Sequence, residues 1–185
     1  MQDNANLLRP LLLRLVDSLL RQRALQLLHQ MLQLSYRPCV ISYSSAISSC
    51  TDSVQWSQAL HLLQQAASSS LRLDVFTYNA TITACEKASL WSQALLLLTE
   101  IEVTRLEADS ISFTAAMASC KAAGRWQPTL LLLAEVRKRG LKVDVTMQGL
   151  VLSACEKVHK HLLARQVLAL VENTMLRSLK RHGRS

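Results

Sequence analysis

The sequence predicts an all-α chain, a solenoid of stacked helix–turn–helix repeats, each 35 residues long. Three ladders of residues carry that prediction. Trp56, Trp91 and Trp126 stand 35 residues apart, as do Cys50, Cys85, Cys120 and Cys155, and as do Asp74, Asp109 and Asp144. Leu28, Leu63, Leu98, Leu133 and Leu168 keep the same step. One period held by several residue types across most of a chain marks a repeat architecture, in which each unit buries its apolar face only by stacking on its neighbours. Composition agrees: half of the 185 residues are apolar, only 4% are aromatic, and there are 4 Gly and 3 Pro to punctuate sheets or hairpins. Aliphatic helix packing suits that profile.

Taken in order, residues 1–39 read as a degenerate helix pair whose second half is marked by Ala24, Leu28, Met31 and Pro38. Arg9, Arg14, Arg21 and Arg23 lie among its leucines, as in an organellar transit peptide, but Asp3 and Asp17 depart from the acid-poor character of such peptides. The first helix pair is the favoured reading. Four units follow, 40–74, 75–109, 110–144 and 145–179, and then a basic tail, 180–185. In each unit a first helix runs to the ladder cysteine, with apolar spacing such as Tyr78, Ile82 and Cys85. A second helix starts near the tryptophan and carries residues such as Ala94, Leu97, Leu98 and Ile101. Turn-prone residues 51–53, 88–89 and 123–124 separate the two. Asp74, Asp109 and Asp144 fall just before the next first helix, where an aspartate caps free amides. Pro128 sits in an opening turn, where a missing N–H does least harm. The ladder cysteines and Ala59, Ala94 and Ala164 mark close helix approach, with Thr129 as the departure.

Charge is unevenly spread. Residues 1–39 carry a net +3, residues 40–109 a net −4 and residues 110–185 a net +9. A uniformly basic groove is therefore excluded. Five cysteines with no CxxC pair point to buried thiols and a reducing compartment. Cys155, His159 and His161 are close in sequence, but Cys155 belongs to the structural ladder, so no metal site is expected. The sequence holds no glycine-rich phosphate loop, nucleophile elbow, paired-carboxylate motif or zinc-deaminase signature, so neither an enzyme nor a cofactor is expected. Its apolar runs are too short for a membrane span.

The stretch from Asp74 through Val75, Phe76, Thr77, Tyr78 and Asn79, followed by Ile82, Cys85, Ala94, Leu95, Leu98 and Ile101, resembles a pentatricopeptide repeat. The variant Ala84–Cys85–Glu86–Lys87 with Trp91–Ser92–Gln93–Ala94–Leu95 is similar to repeats abundant in algal protists. The resemblance covers nearly the whole chain and implies a right-handed α-solenoid superhelix whose first helices line a concave groove. In that family the groove often binds single-stranded RNA, one base per repeat, read by each repeat's fifth and last residues. Carried onto this chain, the reading pairs are Ser44/Asp74, Asn79/Asp109 and Thr114/Asp144, implying a preference near G-U-G. Ile41, Phe76 and Ile111 take the base-sandwiching place, which Thr146 does not fill. Lys87 and Lys157 stand where family members face phosphate. The pairs Arg9/Cys39 and Gly149/Leu179 are off pattern.

Three bases are too few to specify a unique RNA site. Arg137, Lys138, Arg139 and Lys142, and the tail residues Arg177, Lys180, Arg181 and Arg184, read either as phosphate contacts or as solvated helix ends. The expected function is an organellar adaptor, in mitochondrion or plastid, that binds RNA or docks on an RNA-containing assembly alongside other protein subunits. The alternative is a purely protein-binding scaffold.

Overall fold

The computed structural model describes residues 23–51 and 55–156. Among them are eight helices and no strand: α1 (23–33), α2 (Val40–Cys50), α3 (Trp56–Ser68), α4 (Val75–Lys87), α5 (Trp91–Val103), α6 (Ser110–Ala122), α7 (Trp126–Lys138) and α8 (Val145–Glu156). The even-numbered helices pack in series, α2 on α4, α4 on α6 and α6 on α8. Each odd-numbered helix from α3 to α7 packs on its own even-numbered partner and on the next one. The backbones of α3, α5 and α7 do not pack on one another. A close inner row and a spaced outer row bend the stack, with the even helices on the inside of the curve. The chain is an all-α repeat solenoid. No described helix is long and apolar enough to cross a membrane.

The sequence ladders become structural layers. Cys50, Cys85, Cys120 and Cys155 are wholly buried, as are Ala59 and Ala94. Thr129 is accommodated at the alanine position because its hydroxyl donates to the Arg125 carbonyl at 2.9 Å. Leu28, Leu63, Leu98 and Leu133 are buried on the second helices. Burial raises the Cys85 and Cys120 thiols to a pKa of about 11. Cys39 differs: it is exposed, and the nearby Ser42 hydroxyl lowers its pKa. A thiol reagent at neutral pH is expected to label Cys39 in the folded protein and the four ladder cysteines only after denaturation, read by mass spectrometry of the digest. Cys155 is a core residue, while His159 and His161 lie outside the described residues.

The repeat also fixes how helices end. Ser35, Ser70, Arg105 and Gly140, again 35 apart, hold the left-handed conformation, with φ of 58°, 55°, 60° and 70°. The next amide closes back on the helix in three of these turns, from Tyr36 to Met31, Leu106 to Ile101 and Leu141 to Val136. That bond satisfies a carbonyl left over at the helix end, as in a Schellman cap. Glycine suits this conformation, yet only one of the four copies has it. Arg105→Gly is therefore expected to raise the unfolding free energy by about 1 kcal/mol in urea titrations, and Gly140→Ala to lower it by a similar amount.

Candidate functional site

The inner row of helices exposes a second ladder, apolar rather than buried. Ile41, Phe76 and Ile111 are 74%, 62% and 65% exposed at the starts of α2, α4 and α6. Each is followed three residues later by Ser44, Asn79 or Thr114, which helical spacing places on the same face. These solvent-facing apolar side chains contribute little to the core and form a row open to contact. In α8 the corresponding residues are Thr146 and Gly149, both exposed.

The polar partners differ from repeat to repeat. The Ser44 hydroxyl donates to the Ile41 carbonyl at 3.1 Å, and the Thr114 hydroxyl to the Ser110 carbonyl at 2.7 Å. Both hydroxyls thus commit their hydrogen to their own helix and keep only lone pairs for a further partner, and Ser44 is itself buried. No hydrogen bond joins Ser44 to Asp74 or Thr114 to Asp144. Asn79 behaves otherwise. Its amide Nδ2 donates to Asp109 Oδ1 at 3.2 Å, across 30 residues. The Asn79 side chain is buried, and its Oδ1 has no hydrogen-bond partner.

All three ladder aspartates cap helices with Oδ1. Asp74 accepts from the Thr77 amide at 2.9 Å, Asp109 from the Ser112 amide at 2.8 Å and Asp144 from the Met147 amide at 2.7 Å. Around Asp109 a full capping box forms, in which the Ser112 hydroxyl also accepts from the Asp109 amide. Partial burial raises the Asp109 pKa, but hydrogen bonds from the Ser112 amide, the Ser112 hydroxyl and Asn79 outweigh it and hold the pKa below the ordinary value. Asp109 is thus a pre-positioned anion joining one repeat's fifth residue to the next repeat's cap.

Lys87 is exposed in the last turn of α4. Lys157, Arg177, Lys180, Arg181 and Arg184 lie outside the described residues, as do the tail 180–185 and the end of unit 145–179. Two arginines have structural work that their sequence neighbourhoods do not announce. Arg125 stacks over the Trp91 ring, 5.1 Å from its centroid. Arg139, read above as part of a basic cluster, is tied down by Glu135 and Glu102 and lies over the Phe113 ring. The Glu135 contact is at helical i,i+4 spacing and was open to sequence reading; the Glu102 contact comes from another repeat.

Residues 76–103 match the family model described as PPR repeat. That segment spans α4 and α5, the helix pair holding Phe76 and Asn79. One helix pair of this chain therefore matches a pentatricopeptide repeat. Among solved structures, it is similar to the pentatricopeptide repeat protein PPR10 from maize, at 17% identity and a TM-score of 0.69 over 80% of this chain and 21% of that one. It is similar too to PPR10 in complex with an 18-nt psaJ RNA element, at 17% identity and a TM-score of 0.67, over 80% of this chain and 22% of that one. The PPR domain of Arabidopsis thaliana protein-only RNase P 1, in complex with tRNA, matches at 10% identity and a TM-score of 0.73 over 89% of each chain. The chain spans about a fifth of the length of the maize structures. At these identities the likeness is one of fold. No curated protein matches the sequence.

Proposed function

We propose that this pentatricopeptide-repeat chain binds single-stranded RNA along the row formed by α2, α4 and α6, with Asn79 and Asp109 as its best-organised base-reading pair. The observation that carries the reading is the Asn79 amide, anchored at Nδ2 with Oδ1 left without a donor. A buried, unpaired carbonyl costs about 1–3 kcal/mol, a penalty relieved if a small turn of the side chain lets a bound group supply the missing hydrogen. An uracil edge fits, because its N–H is flanked by carbonyls and the asparagine amide offers both an acceptor and a second hydrogen. Phe76 and Ile111, exposed in neighbouring repeats, supply apolar faces for the bases on either side.

Two of the proteins similar in fold were solved with RNA, PPR10 with the psaJ element and the protein-only RNase P 1 domain with tRNA, which supports the reading. Ser44/Asp74 and Thr114/Asp144 act as acceptor-only sites suited to a guanine edge, which carries more than one donor. Lys87, Lys157 and the tail residues Arg177, Lys180, Arg181 and Arg184 contribute phosphate contacts without sequence preference. With three reading units, the chain works as an adaptor within a larger RNA-containing assembly of a mitochondrion or plastid, and native co-purification identifies that assembly.

Fluorescence-anisotropy titration of labelled single-stranded RNA carrying a G-U-G core tests the reading. The wild-type chain is expected to bind with salt-sensitive affinity and to weaken about tenfold when the central U becomes C or A, and Asn79→Ala to erase that difference. Absence of any salt-sensitive association would remove the RNA reading.

A further inference from the structure

The repeats serve as internal controls for one another, and one place in the fold is filled in the third repeat but open in the second. In the third, the Arg139 guanidinium lies 5.2 Å from the Phe113 ring centroid. Its Nε donates to Glu135 at 2.8 Å, and its Nη2 donates to Glu102. Moving back 35 residues turns Phe113 into Tyr78 and Glu135 into Glu100, but turns Arg139 into Thr104 and Glu102 into Ala67. The aromatic residue and one carboxylate remain; the guanidinium and the second carboxylate are gone. A cavity of about 360 Å³ lies there, lined by Ala67, Leu71, Tyr78, Glu100, Thr104 and Leu106, among others.

Apart from the exposed Arg72, the polar side chains of that cavity offer acceptors. The Tyr78 hydroxyl donates to Glu100 Oε1 at 3.2 Å. The Thr104 hydroxyl donates to the backbone carbonyls of Glu100 and Ile101, both at 2.9 Å. Both hydroxyl hydrogens are therefore committed to the protein, leaving lone pairs and a carboxylate between apolar walls. Such a lining favours a flat cation with several N–H donors. Tyr78 is nearly wholly buried, so a ligand meets Glu100 and the cavity walls rather than stacking openly on the ring. Arg72, exposed, also lines the cavity and favours a carboxylate beside the incoming cation.

We infer that this cavity is a docking site for an arginine side chain of a partner protein, whose guanidinium takes in trans the place that Arg139 holds in cis. The site lies apart from the Ile41–Phe76–Ile111 row and does not depend on RNA binding.

The test uses N-acetyl-arginine amide as the probe and N-acetyl-citrulline amide as its uncharged isostere, with binding followed by NMR shifts of the Thr104 methyl group. The arginine probe is expected to saturate, and the citrulline probe to bind at least ~10-fold more weakly. Glu100→Gln, which keeps an acceptor for Tyr78, is expected to weaken the arginine probe by a similar factor. The double variant Ala67→Glu/Thr104→Arg is expected to fill the cavity from within, raising the melting temperature and abolishing probe binding. Equal binding of the two probes, or arginine binding unchanged by Glu100→Gln, overturns the assignment whether or not the double variant folds. Self-association that Glu100→Gln abolishes would overturn the partner-protein assignment in favour of a second copy of this chain.

Discussion

Phe113→Ala lowers the unfolding free energy by about 4 kcal/mol, whereas Phe76→Ala changes it by no more than about 0.5 kcal/mol. These are the only two phenylalanines in the chain, and both lie near the start of a first helix. Phe113 is 1% exposed, lies beneath Arg139, and sits on α6, which packs against α4, α5, α7 and α8. Its removal leaves a cavity where several helices meet, and the repeat's near-neighbour packing gives little room to close it. Phe76 is 62% exposed, so its truncation removes far less buried surface and opens no enclosed cavity. Urea titrations followed by circular dichroism give the stability half of this contrast. The RNA reading supplies the other half: Phe76→Ala weakens single-stranded RNA binding about tenfold through lost stacking, while leaving the fold intact.

The second large effect belongs to Asp109, which serves two roles that different substitutions separate. Asp109→Ala removes both the α6 cap and the partner of Asn79, and is expected to cost about 1–2 kcal/mol of stability. Asp109→Asn keeps a capping oxygen and costs a few tenths of a kcal/mol, yet removes the carboxylate beside Asn79. The pH dependence distinguishes them further. The Asp109 pKa is lower folded than unfolded, so its contribution is complete above the unfolded aspartate value of about 4. It is lost as pH falls through the folded value, because the unfolded chain takes up the proton first. Comparison of wild type with Asp109→Asn between about pH 5 and 2 should show the wild type losing more stability on acidification. Equal slopes would mean that Asp109 has no special stabilisation as an anion.

The sequence period made the helices, the buried cysteine ladder and the capping aspartates readable, because each recurs at one step and depends on local geometry. The pairing of Asn79 with Asp109 came instead from the resemblance to the pentatricopeptide repeat, whose fifth and last residues those positions match. The orientation of hydroxyls was beyond both. Ser44 and Thr114 look equivalent to Asn79 as polar residues, but a short hydroxyl reaches its own helix carbonyl and an asparagine amide does not take that route here. The left-handed turns were half-hidden for a related reason: Gly124 and Gly140 announce them, but Ser35, Ser70 and Arg105 adopt the conformation without any compositional signal. Arg139 was read by its charge as part of a basic surface. Its contact with Glu102 spans two repeats through the reach of two long side chains, which no one-dimensional window contains. The cavity beside Glu100 became visible only by comparing that contact with its counterpart one repeat earlier.

The most direct test of base reading by the Asn79–Asp109 unit is an exchange rather than a loss. Asn79→Thr gives the second repeat the polar pair that the third already has in Thr114 and Asp144. Anisotropy titrations against four RNAs, differing only in the central base of the G-U-G core, are expected to show the preference moving from U in the wild type to G in the variant, by about tenfold each way. An identical ranking of the four bases before and after the exchange would contradict the account.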